Sequence, residues 1–151
     1  MQKLKILNKK ELRTFFDILE KIFGYTGKLD FVFLLSEKNK VYLVNKEIEG
    51  INLQKLRVNS YGMYIAEWRE HEVRLSIEGS QLVGPFCSKN VLEVDTKTAR
   101  EWLKGVDIDY NGELEGFVII KNGDDHLGSG RVVPGKILNY VSKVRRLHCS
   151  D

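Results

Sequence analysis

The sequence predicts an α+β fold, with a small helix-and-strand unit over residues 1–84 and a β-rich unit over residues 85–151. Three observations predict it. An amphipathic helical pattern near the N-terminus gives way to short β-runs. A second, shorter helical pattern at 96–105 is followed only by strands. Turn signals at Gly84-Pro85, "NGELEG" and "NGDD" divide those strands at close intervals. One short helix followed by closely spaced strands is the pattern of a small mixed or open β-barrel.

In the first unit, "NKKELRTFFDILEKIFG" (8–24) reads as a helix. Asn8 is placed to cap it, with Glu11 completing a capping box, and Gly24 suits the position just past its end. Leu12, Phe15, Phe16, Leu19, Ile22 and Phe23 recur at spacings of three and four, which points them into a core. "DFVFLLSEKNKVYLVN" (30–45) reads as a hairpin around a polar turn. Leu56–Val58, Met63–Trp68 and Val73–Ile77 are the next strand candidates. "EGSQLVGPFC" (78–87) reads as a short helix ended by Gly84-Pro85.

The second unit opens with the strand "NVLEVD" (90–95). The helix "TKTAREWLKG" (96–105) follows, capped by Asp95 or Thr96, with Ala99, Trp102 and Leu103 inward and Gly105 as terminator. Strands then follow at "VDIDY", "GFVIIK" (116–121), "LGSGRVV" (127–133) and "ILNYVSKVRRLHC".

The chain has 151 residues, enough for one domain or two small subdomains sharing a core. Its 42% hydrophobic and 30% charged content is that of an ordinary globular protein. No apolar run is long enough to span a bilayer, and the N-terminus lacks the apolar stretch of a signal peptide, so a cytoplasmic protein without membrane association is expected. Cys87 and Cys149 belong to no Cys/His cluster, so no zinc site is expected. They read as reduced thiols, although spacing alone leaves a disulfide between them open.

The net charge is only +3, but residues 126–150 hold Arg131, Lys136, Lys143, Arg145 and Arg146 with no Asp or Glu. Such a segment can present a phosphate-attracting face to a nucleic acid. It can also be a solvated terminal strand whose cations protect an edge.

The "GSG" of "HLGSGRVVPGK" invites comparison with a phosphate loop. Ile137 follows Gly135-Lys136 where a Walker loop needs Ser or Thr, and Val133 stands where a dinucleotide fingerprint needs its third Gly. The context is strand–turn–strand rather than strand–loop–helix. "GDDH" (123–126) is explained by the turn preference of Gly and Asp, so no metal is expected there. His71, His126 and His148 have no neighbouring nucleophile. No catalytic constellation or cofactor motif is present, and a non-enzyme is expected.

The strand "NVLEVD", the helix "TKTAREWLKG" and the run "GFVIIKNGDDHLGSGRVV" resemble a PUA domain, a pseudo-barrel RNA-binding module. That resemblance implies an α+β subdomain (1–84) packed on a PUA-like β pseudo-barrel (85–151), with Gly123 and Leu127-Gly128-Ser129-Gly130 in a hairpin. "LGSGRVVPGKILNYVSKVRRL" is closer still to the C-terminal PUA-like domain of Sun-type RNA cytosine-5 methyltransferases, whose pattern is "LGxGKxxxGxxKNxxPKxLR". Leu127, Gly128, Gly130, Gly135, Asn139, Lys143 and Arg145 or Arg146 are retained. Arg131 replaces Lys, Leu138 stands where that pattern has Lys, and Ser142 where it has Pro. "WLKG" is similar to that family's "YLRG". The first half resembles, in layout only, small ribosome-biogenesis factors that place an α+β subdomain before a PUA domain.

The resemblance implies non-catalytic binding of structured RNA, tRNA or rRNA, in RNA modification or ribosome biogenesis. It implies a stand-alone, archaeal protein, since the chain holds no methyltransferase core and no Pro-Cys nucleophile. A partnership with an RNA-modifying enzyme or a pre-ribosomal protein is also implied. The rival reading is a protein-interaction module docking onto such an enzyme or a ribosomal protein. Transferred by residue, the site is Arg100 and Lys104 on the helix with Arg131, Lys136, Asn139, Tyr140, Lys143, Arg145 and Arg146 at the C-terminus. The cations would meet phosphates, and Asn139 would read a base edge or 2′-hydroxyl. Tyr140 would stack on a base or fill the core, since strand alternation sets it opposite Asn139.

Overall fold

The computed structural model describes residues 3–46 and 62–147. The strand expected at Leu56–Val58, and His148 and Cys149, lie outside the described residues.

The first sheet is an antiparallel meander of β1 (Leu4–Ile6), β2 (Val32–Ser36), β3 (Lys40–Val44), β4 (Met63–Arg69) and β5 (Glu72–Leu75), paired in that order. Helix α1 (Lys9–Phe23) starts as its local sequence requires. Asn8 Oδ1 accepts from the Glu11 amide at 2.8 Å, and Glu11 accepts from the Asn8 amide at 3.0 Å. Gly24 ends it in the left-handed region. Phe15, Leu19 and Phe23 are buried with Phe33, Val41, Leu43, Ile65 and Val73 of the sheet. On the other strand faces, Val32, Leu34, Tyr42 and Val44 form a separate buried cluster. Burial of alternate residues in two clusters accounts for the unbroken apolar run "VFLL".

Strand β5 ends at Leu75, two residues before the expected Ile77, because Ser76 caps helix α2 (Ile77–Val83). The Ser76 hydroxyl accepts from the Gly79 amide at 3.0 Å and donates to the Tyr64 carbonyl at 2.7 Å. Gly79 lets α2 approach β4: a Cβ there would lie 2.0 Å from the Ile65 carbonyl oxygen. A 3₁₀ turn, Gly84–Phe86, closes the helix.

The second sheet has the order β6-β8-β9-β10-β7, from β6 (Val91–Glu93), β7 (Ile108–Asp109), β8 (Gly116–Asn122), β9 (Asp125–Val133) and β10 (Lys136–Asn139). Only the β6–β8 pair is parallel. Helix α3 (Thr96–Leu103) belongs to that crossover and is capped by the Asp95 carboxylate, which accepts from Thr98 at 2.7 Å. Trp102 is fully buried among Val118, Ile120, Leu127 and Ile137, and its indole donates to the Leu127 carbonyl at 2.8 Å. With helices on an open, curled second sheet beside a meander, the architecture is the expected α+β one.

Strand β8 joins two buried cores. Phe117 and Ile119 belong to the core under α1, while Val118 and Ile120 belong to the core around Trp102. Asn90, at φ +56°, adds a polar tie: its side chain donates to the Ile22 carbonyl at 2.6 Å and its carbonyl accepts from Ile119 at 2.8 Å. Helix α2 adds another, with the Ser80 hydroxyl accepting from the Gly128 amide at 2.8 Å.

"LGSG" lies in the antiparallel hairpin of β8 and β9, as the resemblance implied. It lies within β9, and the turn is at Gly123. Gly130 is needed because a Cβ would meet Trp102 at 2.6 Å and Ile137 at 2.5 Å. The last strand stops at Asn139 instead of running through "YVSKVRRL". The Asn139 side-chain oxygen accepts from the Val141 amide at 2.8 Å and turns the chain.

His126 is buried in β9, where burial first, and then Lys121, hold its pKa below the ordinary 6.5. The unfolded chain therefore takes up this proton more readily than the folded one. Stability from the neutral imidazole is complete above pH 6.5 and is lost as pH falls below it. Melting temperature should drop between about pH 7.5 and 5.5. His126→Gln should lessen that drop, and an unchanged drop would assign it to other groups.

Candidate nucleic-acid interface

Beyond β10 the chain makes a 3₁₀ turn, Lys143–Arg145, and returns to α3, where the Leu147 amide donates to the Leu103 carbonyl at 2.9 Å. This return places the basic segment beside the C-terminal end of α3.

The contacts and positions of the seven expected cations sort them into two groups. Around the end of α3, Lys104 Nζ lies 3.6 Å from Glu101, and Lys136 Nζ lies 3.5 Å from Asp107. Arg146 Nε donates to the Val141 carbonyl at 3.0 Å. Arg100 is exposed one helical turn before Lys104. Facing the first sheet, Arg131 lies 3.8 Å from Glu72 and over the Phe117 ring, and Arg145 donates to Glu78 at 2.8 Å. Lys143 is exposed on the 3₁₀ turn. Among the described residues, Arg100 and Lys143 have no acidic partner.

The segment is therefore acid-free in sequence but not in space. Glu72, Glu78 and Asp107 come to it from other elements, while Glu101 pairs with Lys104 at the end of α3. These pairs are largely exposed and each contributes roughly 0–1 kcal/mol, so phosphates can compete for the cations.

Asn139 requires a correction. Its amide nitrogen donates to the Trp102 carbonyl at 2.7 Å and the Val106 carbonyl at 3.0 Å, and its oxygen holds Val141. Both donor hydrogens are used inside the fold, so the expected base-reading donor is spent on closing the end of α3. Tyr140 is half-buried, 6.2 Å from Phe117 between ring centroids, with the Arg74 guanidinium 4.4 Å over its ring. It joins the edge of the core and also lines a cleft.

That cleft, about 470 Å³, lies between the first sheet and the second. Its lining includes Lys40, Tyr64, Arg74, Glu78, Tyr140 and Arg145. Sequence reasoning missed Lys40, Tyr64 and Arg74. They lie on three different strands of the first sheet, and no local spacing marks them as neighbours of the C-terminus. The Tyr64 phenol is pushed up by burial, partly offset by adjacent Arg74. Among the described residues, no cluster of three His, Cys, Asp or Glu side chains could hold a metal. No helix among them is long and apolar enough to cross a membrane.

Residues 89–147 match the family model of the methyltransferase RsmF PUA domain. The segment is a PUA-like domain. Its strand β6, helix α3 and strands β8 to β10 are the elements on which the sequence resemblance rested. The matched model is that of the PUA domain and not of a catalytic domain.

Ribosomal RNA small subunit methyltransferase F of Vibrio cholerae serotype O1 (strain M66-2) is 30% identical over 106 residues, covering 70% of this chain and 22% of that protein. The protein of the same name from Vibrio vulnificus (strain YJ016) is 30% identical over 105 residues, with the same shares. This chain thus spans about a fifth of the length of the curated relatives it matches. An alignment of 106 residues exceeds the PUA-like segment, so the likeness reaches into the first unit, further than layout alone. These relatives are bacterial and lend no support to the archaeal source the resemblance implied. A crystal structure of a PUA domain from Aeropyrum pernix K1, a tartrate complex, superposes with a TM-score of 0.48 at 12% identity, over 87% of this chain and 72% of that one.

Proposed function

We propose that the chain binds structured RNA, ribosomal RNA foremost, as a non-catalytic RNA-binding unit in rRNA modification in the cytoplasm. The match of residues 89–147 to the RsmF PUA domain carries this reading. The names of the Vibrio relatives favour rRNA over tRNA. Arg100 and Lys143 are the first phosphate contacts, joined by Lys104, Arg131, Lys136 and Arg145 when RNA displaces their exposed carboxylate partners. Arg146 contributes mainly by holding the returning chain. A methyltransferase or a pre-ribosomal protein is the proposed companion.

Filter binding of a structured rRNA fragment across a salt series tests this. Affinity should fall linearly on a log–log plot against salt. The Arg100→Ala/Lys143→Ala double variant should weaken binding to all RNA sequences and reduce the slope by about 2, one for each lost phosphate contact. An unchanged slope would remove these two residues from the interface. No RNA binding at low salt would overturn the reading in favour of protein docking.

A further inference from the structure

We propose that the cleft between the two sheets receives one unpaired nucleotide of the bound RNA, with its base against the Tyr140–Arg74 pair and its phosphate between Lys40 and Arg145. This rests on the RNA-binding reading above and extends its site to the first unit.

Charge, shape and chemistry of the lining point to this ligand. The cleft's volume of about 470 Å³ falls within the range of small-ligand sites. Three cations, Lys40, Arg74 and Arg145, line it against the single carboxylate of Glu78, with Glu67 pairing Arg74 at 3.3 Å from outside the lining, which leaves a net positive charge on Lys40. Glu78 is held by Arg145 at 2.8 Å, so its charge is compensated while it keeps acceptor capacity. Such an acceptor suits a base amino group or a ribose 2′-hydroxyl. An excess of positive charge in an aromatic cleft selects a planar anion over a neutral apolar ligand.

The aromatic lining is already arranged in cation–ring layers. The Arg74 guanidinium lies 4.4 Å over Tyr140, and Lys40 Nζ lies 5.3 Å over Tyr64. Unpaired bases stack on tyrosine rings and on arginine planes alike, whereas a paired base has no free face to offer. Val144, 91% exposed, stands at the rim between the basic Lys143 and Arg145. An apolar side chain held out there can lie against a ribose or a base as the strand enters. Of the lining serines, Ser76 and Ser129 donate their hydroxyls to the Tyr64 and Leu75 carbonyls, which leaves the exposed Ser142 hydroxyl for the ligand. Stacking and charge, which tolerate any base, carry the affinity, and Glu78 and Ser142 are the hydrogen-bonding groups left for the sugar or base edge.

The test compares two RNA hairpins with the full chain, one fully paired and one carrying a single unpaired nucleotide, substituted with 4-thiouridine for crosslinking. The unpaired hairpin should bind about tenfold tighter. Its crosslinks should map to peptides holding Tyr140 or Tyr64. Tyr140→Leu should abolish the ratio of affinities between the two hairpins, and Tyr140→Phe should retain it. Equal binding of both hairpins by the unaltered chain, or crosslinks confined to other peptides, would overturn the cleft while RNA binding stands. A preference that survives in folded Tyr140→Leu would overturn it too. Binding of neither hairpin at low salt would overturn both readings. The crosslink map needs no variant, so a Tyr140→Leu protein that fails to fold leaves the question decidable.

Discussion

Replacing Trp102 with alanine should destabilise the chain by about 3–5 kcal/mol, the range for removing a buried aromatic side chain from a core. Trp102 is fully buried where α3 meets β8, β9 and β10, and Gly130 exists in that form to admit its ring. The indole also carries the hydrogen bond to the Leu127 carbonyl, which would lose its partner in a dry site. Urea unfolding followed by circular dichroism measures the loss. Trp102→Phe should recover much of the packing but not the hydrogen bond, and should fall between the two. A loss below about 1 kcal/mol for Trp102→Ala would mean that this core collapses freely around the gap.

Gly79→Ala should also destabilise, by about 1–3 kcal/mol, although alanine is the better helix former by about 1 kcal/mol. The new methyl would meet the Ile65 backbone carbonyl of β4 at 2.0 Å. Backbone in a paired strand cannot move aside as a flexible side chain can, so α2 must retreat. That retreat loosens the Ser76–Tyr64 and Ser80–Gly128 hydrogen bonds with it. Thermal melting gives the sign, and a raised melting temperature would show that propensity outweighs the close approach.

Local features of the fold were legible because neighbouring residues fix them. The Asn8–Glu11 box, the glycine after α1 and the Asp95 cap depend on positions within one helical turn. Other features depend on residues far apart in sequence. The sequence marks "LGSG" as part of a hairpin, but not that Gly130 answers to Trp102, which the chain presents from α3. Strand β10 read too long because the Asn139 side chain substitutes for a strand partner of Val141. The basic segment read as uncompensated because its acids come from β5, α2 and the residue just before β7. Of the candidate site, the cations were legible as types at positions. The cleft was not, since Lys40, Tyr64 and Arg74 meet Tyr140 only through the pairing of two sheets.

The alternation of Phe117 and Ile119 into one core with Val118 and Ile120 into the other has a consequence for recognition. A single strand is a shared wall of both halves, and Asn90 and Ser80 pin the same junction from either side. The cleft beside that wall is thus pre-organised. A ligand entering it need not first immobilise two bodies against each other, so little of its interaction energy is spent on ordering the protein.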